Sequence, residues 1–250
     1  METYFKSEYL KMRHTFVEKL IFIAPIFAIL FPLLLQPAYF EGNSYNWWYA
    51  SMLPGMISLG CSLVAVKDKK MKNMAVLSLP VDLRKVWIAK ILVCVVMITF
   101  AAIIHLIGNI IIGNIFGIGK LGTVTASSAF LGTLILIVTF LWQAPLCLFL
   151  SGKIGMFPTI LINLAAYMIL GIILAVKKIL WITPYAIPAR LMCPILKTLP
   201  NGLPAIPGNT TFTPELLSTN VILPGIIITI VLFIVLTILT AKWYEGQEAE

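Results

Sequence analysis

The sequence predicts an all-α polytopic membrane protein, and three observations carry that prediction. Sixty per cent of the 250 residues are apolar and only 11% are charged. Mean hydropathy is +0.99, far above the range of soluble globular chains. Six apolar runs long enough to cross about 30 Å of hydrocarbon are separated by short polar turns. In a soluble chain a net charge of +8 would point to nucleic acid. Here 13 of the 18 Lys and Arg residues flank spans on one predicted side, the side that the positive-inside rule makes cytoplasmic. Orientation accounts for the charge, and no nucleic-acid partner is expected. Cys61, Cys94, Cys147 and Cys193 are scattered, three of them in apolar runs, and read as small buried hydrophobes rather than a disulfide framework or metal cluster.

Residues 1–19 carry charges throughout and no small-residue cleavage site follows the first apolar run, so they do not read as a signal peptide. Phe5, Tyr9, Met12, Phe16 and Leu20 form an apolar stripe, with Lys6, Glu8, Lys11, Arg13, Glu18 and Lys19 on the remaining face. This pattern predicts an amphipathic interfacial helix. Span one is expected over residues 20–40. Residues 41–46 make a short polar turn without Lys or Arg, and Trp47, Trp48 and Tyr49 stand where an outer aromatic belt is expected. Span two, residues 47–66, contains Pro54 and Gly55 and is expected to kink.

The stretch 67–90 holds seven of the 18 basic residues and marks the cytoplasmic side. Val76, Leu79, Leu83, Val86 and Trp87 recur in it at helical spacing. Ser78 suits a cap, Pro80 a first turn, and Asp82 the positive end of the helix dipole. A short helix over 78–85 is expected, either docked on a partner or lying on anionic headgroups. Span three, about 86–112, carries His105, with no acid or second histidine in another expected span to pair with it. A bond from its neutral ring to a carbonyl is the simpler expectation, although a lone intramembrane ionisable group always raises a functional question.

Residues 113–128 form a Gly-rich outer turn. Gly117, Gly119 and Gly122 match GxGxxG there without the flanking strand and acidic residue a dinucleotide site needs. Gly119 and Lys120 resemble part of a phosphate loop, but Asn114 and Leu121 occupy two of its fixed positions. Span four, about 128–150, contains Gln143 and Pro145; span five, 157–176, contains Asn163. Gln143 and Asn163 could line a path, but helix-to-helix hydrogen bonds are the commoner use of such amides. Residues 177–220, with seven prolines, are expected as an external lobe of short pieces. Span six covers about 221–241 and ends in Lys242, Trp243 and Tyr244. The sequence shows no HExxH, no paired intramembrane carboxylates, no nucleophile elbow and no charged ring. Neither an intramembrane enzyme nor an ion channel is expected.

Three runs carry a resemblance: EYLKMRHTFVEKLIFIAPIF from Glu8, YNWWYASMLPG from Tyr45, and KDKKMKNMAVLSLPVDLRKVWIAK from Lys67. They resemble the permeases of lantibiotic-immunity ABC transporters, of the type called LanE, EpiE or MutE. The resemblance implies one ABC-2-type transmembrane domain over residues 1–250, with both termini in the cytoplasm of a bacterium. It also implies a second, LanG-like permease and two copies of a LanF-like nucleotide-binding subunit. That subunit would hold ATP and Mg, with no cofactor in this chain. The complex would expel lantibiotic peptides from the cytoplasmic membrane. By position, Ser78, Leu79, Pro80, Asp82, Leu83, Arg84, Lys85 and Val86 would couple to the ATPase, and Phe5, Tyr9, Met12 and Phe16 would seat the interfacial helix among membrane lipids. Candidate substrate contacts are Trp47, Trp48, Trp181 and Tyr185, the outer acids Glu41 and Glu215, and His105. Two other classes stay open: an ABC-2 permease for lipid, glycan or drug, and a sensor or scaffold that transports nothing.

Overall fold

The computed structural model describes residues 1–69, 81–116 and 124–247. Ser78, Leu79 and Pro80 of the expected coupling helix, and the glycine motif at Gly117, Gly119 and Gly122, lie outside the described residues. Within them the chain is helical, with no strand. Six helices are long and apolar enough to cross a membrane: Phe16–Leu35, Pro37–Lys67, Leu83–Gly113, Ala126–Ile154, Met156–Ala175 and Thr219–Glu245. They are called spans one to six below. The chain is thus a multi-pass helical membrane protein. One end of the bundle gathers the N-terminal helix, Lys67, Lys153 and Lys242 and is called the basic end. The opposite end carries residues 177–218 and is called the lobe end.

Several boundaries differ from expectation, each for a physical reason. The amphipathic helix covers Glu2–Met12, not 1–19. His14 sits in the left-handed region at φ 59, which few non-glycine residues adopt within a helix. The chain bends there, and Phe16 becomes the first residue of span one rather than part of the interfacial stripe. Residues 41–46, expected as an outer turn, are helical. The turn falls instead at Gln36, which departs from helical geometry just before Pro37, as pre-proline residues tend to do. Span two therefore begins ten residues early and buries Gly42, Asn43, Ser44 and Tyr45.

Two helix irregularities lie just before a proline, which removes a backbone donor; the π-helical turn of span five at Ala166–Gly171 has none. Span two widens into a π-helical turn at Trp48–Met52, just before Pro54. Span four breaks at Leu141 and Trp142 into Ala126–Phe140 and Gln143–Ile154; the ring of Pro145 disfavours helix at the carbonyl four residues earlier. Spans four and five join at Gly155, whose φ of 92 suits glycine.

No separate helix ends at Lys85. Leu83–Phe116 is one continuous helix of 34 residues, about 51 Å long at 1.5 Å per residue. This exceeds the hydrocarbon by some 20 Å, so the helix projects beyond it at one end or both.

The lobe is more deeply seated than an external loop. Its helix Ile187–Leu196 buries nine of its ten residues, between the first half of span four and the start of span six. Gly132 lies under Met192 and Leu196, and Gly225 under Leu191 and Ile187. The buried guanidinium of Arg190 donates to the carbonyls of Leu216 at 2.6 Å and Glu215 at 2.7 Å, closing the loop that returns to span six. Burial lowers the pKa of Arg190 from its usual range, and the same cause pushes the Cys193 thiol up to about 12. A Cβ at Gly225 would already stand 3.0 Å from Leu191. Gly225→Leu is therefore expected to lift the lobe helix off span six at a cost of about 1–3 kcal/mol, seen as a lowered unfolding temperature in detergent.

Candidate functional site

At the basic end, span three begins with its own cap. The Asp82 carboxylate accepts the backbone N–H of Lys85 at 3.1 Å and pairs with the Lys85 ammonium at 3.0 Å. These contacts hold the exposed Asp82 carboxyl below the usual range. Arg84 and Lys85 are exposed, Leu83 is half-buried, and Val86 is buried at 5% exposure against the chain's own core. Val86 is thus no free anchor for a partner, and among the described residues Leu83 is what remains of the expected apolar docking face, beside three charged groups.

Behind this turn lies a contact absent from the sequence reading. Glu8, assigned by periodicity to the polar face, is 3% exposed. It pairs with Lys90 of span three at 2.8 Å and with Lys11 one turn along its own helix at 2.6 Å. Lys90 is 2% exposed, although the charge pattern assigns it to the solvated loop. The Tyr4 hydroxyl accepts the Asp82 backbone N–H at 3.4 Å. The N-terminal helix is thus tied to span three rather than only resting on lipid. Of its expected lipid-facing stripe, Tyr9 is exposed, Phe5 half-buried and Met12 buried. A lysine embedded among Trp87, Ile91 and Cys94 was the available signal, because a charge in an apolar run needs a partner.

His105 is enclosed. Its Nε2 shares a hydrogen bond of 2.9 Å with the Ser44 hydroxyl, Trp48 stacks on the ring at 4.9 Å, and Tyr45 meets it edge-on at 4.9 Å. The Tyr45 hydroxyl donates to the carbonyl of Ala129 at 2.9 Å and lies 2.8 Å from the Thr133 hydroxyl. This cluster fastens spans two, three and four together. Neither His105 nor Trp48 is open to a substrate from outside, so both leave the set of candidate contacts. The expected carbonyl partner of His105 is replaced by a hydroxyl. Gln143 and Asn163 do bond across helices: Asn163 Nδ2 donates to Gln143 Oε1 at 2.9 Å and to the Pro54 carbonyl at 3.2 Å.

The other outer candidates scatter. Trp47 is half-buried and stacks on Phe31 at 5.4 Å. Tyr185 fits between Trp142 and Tyr167, both 5.0 Å away, as part of the packed interior. Trp181 is half-buried, and Glu215 is exposed. The half-buried Glu41 lies against Gly113, well inside span two rather than in a turn. These residues do not form one site. No cluster of three or more metal-binding side chains occurs among the described residues.

Comparison of the chain with protein-family models, with curated proteins and with solved structures finds no match. The class defined by the structure is therefore the multi-pass helical membrane protein, and any finer assignment rests on the arguments below.

Breaking a buried ion pair by removing one partner costs about 3–5 kcal/mol, whereas replacing both by apolar groups is often close to neutral. Lys90→Met, which leaves the buried Glu8 carboxylate with Lys11 as its ammonium partner, is expected to lower the unfolding temperature in detergent. Adding Glu8→Leu to the same chain is expected to restore most of the loss.

Proposed function

We propose that this chain is a permease subunit of an ATP-driven ABC-2-type exporter that removes lantibiotic-type antimicrobial peptides from the bacterial cytoplasmic membrane. The observation that carries this reading is the build of the basic end. A membrane domain that binds no ATP must receive work through a contact, and that contact needs a rigid charged element outside the hydrocarbon. The first turn of Leu83–Phe116 is such an element, capped by Asp82 and braced from behind by the Glu8–Lys90 pair. The six spans, the amphipathic N-terminal helix and the sequence resemblance over residues 8–92 support the same reading. On this view the basic end faces the cytoplasm, a nucleotide-binding subunit holding ATP and Mg docks on Leu83, Arg84 and Lys85, and a second permease completes the pore.

Rim charges govern association more than folding. Exchanging exposed Arg84 for Glu and Lys85 for Gln in one chain is expected to reduce copurification with the ATPase. Lantibiotic-stimulated hydrolysis should fall about tenfold, with the unfolding temperature kept. Equal copurification and stimulation would mean that the ATPase docks elsewhere. Expressing the intact complex in a susceptible bacterium should raise the lethal dose of a lantibiotic and leave unrelated drugs unaffected; protection against a drug instead would reassign the cargo.

A further inference from the structure

At the lobe end, the turn between spans one and two and the neighbouring lobe loop enclose an open cavity of about 250 Å³, lined by Leu35, Gln36, Asn43, Asn46, Trp47 and Asn201 among others. Four of these side chains are carboxamides and none is charged. Asn43 is only 6% exposed. Its amide nitrogen donates to Gln36 Oε1 at 2.6 Å, while its own Oδ1 receives no hydrogen bond from any described residue. Asn46 spends both amide hydrogens, on the Tyr49 hydroxyl at 2.8 Å and the Pro200 carbonyl at 2.9 Å, and its Oδ1 is likewise unpartnered. Gly202 permits the approach: at φ 85, a Cβ there would stand 2.5 Å from Asn43 Oδ1.

The Gln36–Asn43 pair therefore makes one hydrogen bond and leaves one amide donor and one carbonyl acceptor open side by side. Exchanging O and N in both amides leaves the same inventory. One donor beside one acceptor is the complement of a single peptide group. Without a cation the cavity cannot repay the desolvation of phosphate or carboxylate, and without an anion it does not select an ammonium group. The indole of Trp47, at the rim, offers an apolar face for a side chain. A volume equal to about eight waters at roughly 30 Å³ each admits two or three residues of an extended chain.

We propose that this cavity is a binding site for a short peptide segment, read through its backbone by Gln36 and Asn43, with Asn46 as a further acceptor. It deepens the peptide-export reading and rests on it only for the nature of the physiological peptide.

The test uses the purified chain in lipid nanodiscs and ligand-observed saturation-transfer NMR, with N-acetyl-triglycine amide as one probe and maltose as the other. Transfer to the triglycine methylenes is expected, reduced at least about fivefold by Asn43→Leu and by Gln36→Ala. Gln36 is exposed, so Gln36→Ala decides the matter should Asn43→Leu fail to fold. Absence of transfer to triglycine amide in the unmodified chain, or transfer indifferent to Gln36→Ala, overturns the proposal. Transfer to maltose alone, lost in the same variants, also overturns it and makes the cavity a glycan site. A complex that protects against a lantibiotic while this cavity ignores the probe refutes the site and spares the export reading; the converse result spares the site.

Discussion

Hydrocarbon does not drive apolar helices together, because a lipid tail is as good a neighbour as a leucine. Association must come from close packing and from hydrogen bonds that have no water to compete with them. In this chain those bonds converge on span two. Ser44 binds His105, Tyr45 reaches Ala129 and Thr133, Ser62 meets Ser151, and the Pro54 carbonyl accepts from Asn163. Each is worth only about 0.6 kcal/mol on average, yet together they fix which face of span two meets spans three, four and five. Glycines let neighbours close in, as where Gly60 lies under Met97 and Gly108 under Ile29.

The two ends of the bundle solve different problems. At the basic end a buried carboxylate and ammonium lock the N-terminal helix to span three, which turns a surface-seeking amphipathic segment into part of the rigid body. At the lobe end no carboxylate takes part in the closure: a helix too short to cross the membrane packs between spans four and six, and the Arg190 guanidinium holds the loop beyond it through backbone carbonyls. The exposed charges of Asp82, Arg84 and Lys85 and the cluster of uncharged amides at Gln36, Asn43, Asn46 and Asn201 thus sit at opposite ends.

Much of the fold is legible in the residues. The count and order of the spans, the amphipathic start, the kink near Pro54 and the bonding of Gln143 with Asn163 all follow from hydropathy, periodicity and the needs of buried amides. The candidate sites are less legible, since aromatic residues serve a belt, a core or a binding surface with the same local pattern. Trp47 and Trp48 are adjacent, yet one lines a cavity at the lobe end and the other covers His105 in the interior.

The sequence by itself determined that the backbone crosses a membrane as helices, because an apolar run of 20 or more residues has no other way to satisfy its amides in lipid. It also determined the charge asymmetry between the two ends. Only the tertiary structure decided where the ambiguous groups went. Periodicity places Glu8 on a polar face, but the partner that makes its burial tolerable is 82 residues away, and no local pattern encodes that distance. Likewise Gln36, Asn43 and Asn201 become one cavity only when Gly202 lets the lobe backbone pass against span two. Long-range pairing of scarce polar atoms in a dry interior is a property of the packed bundle, not of any single segment.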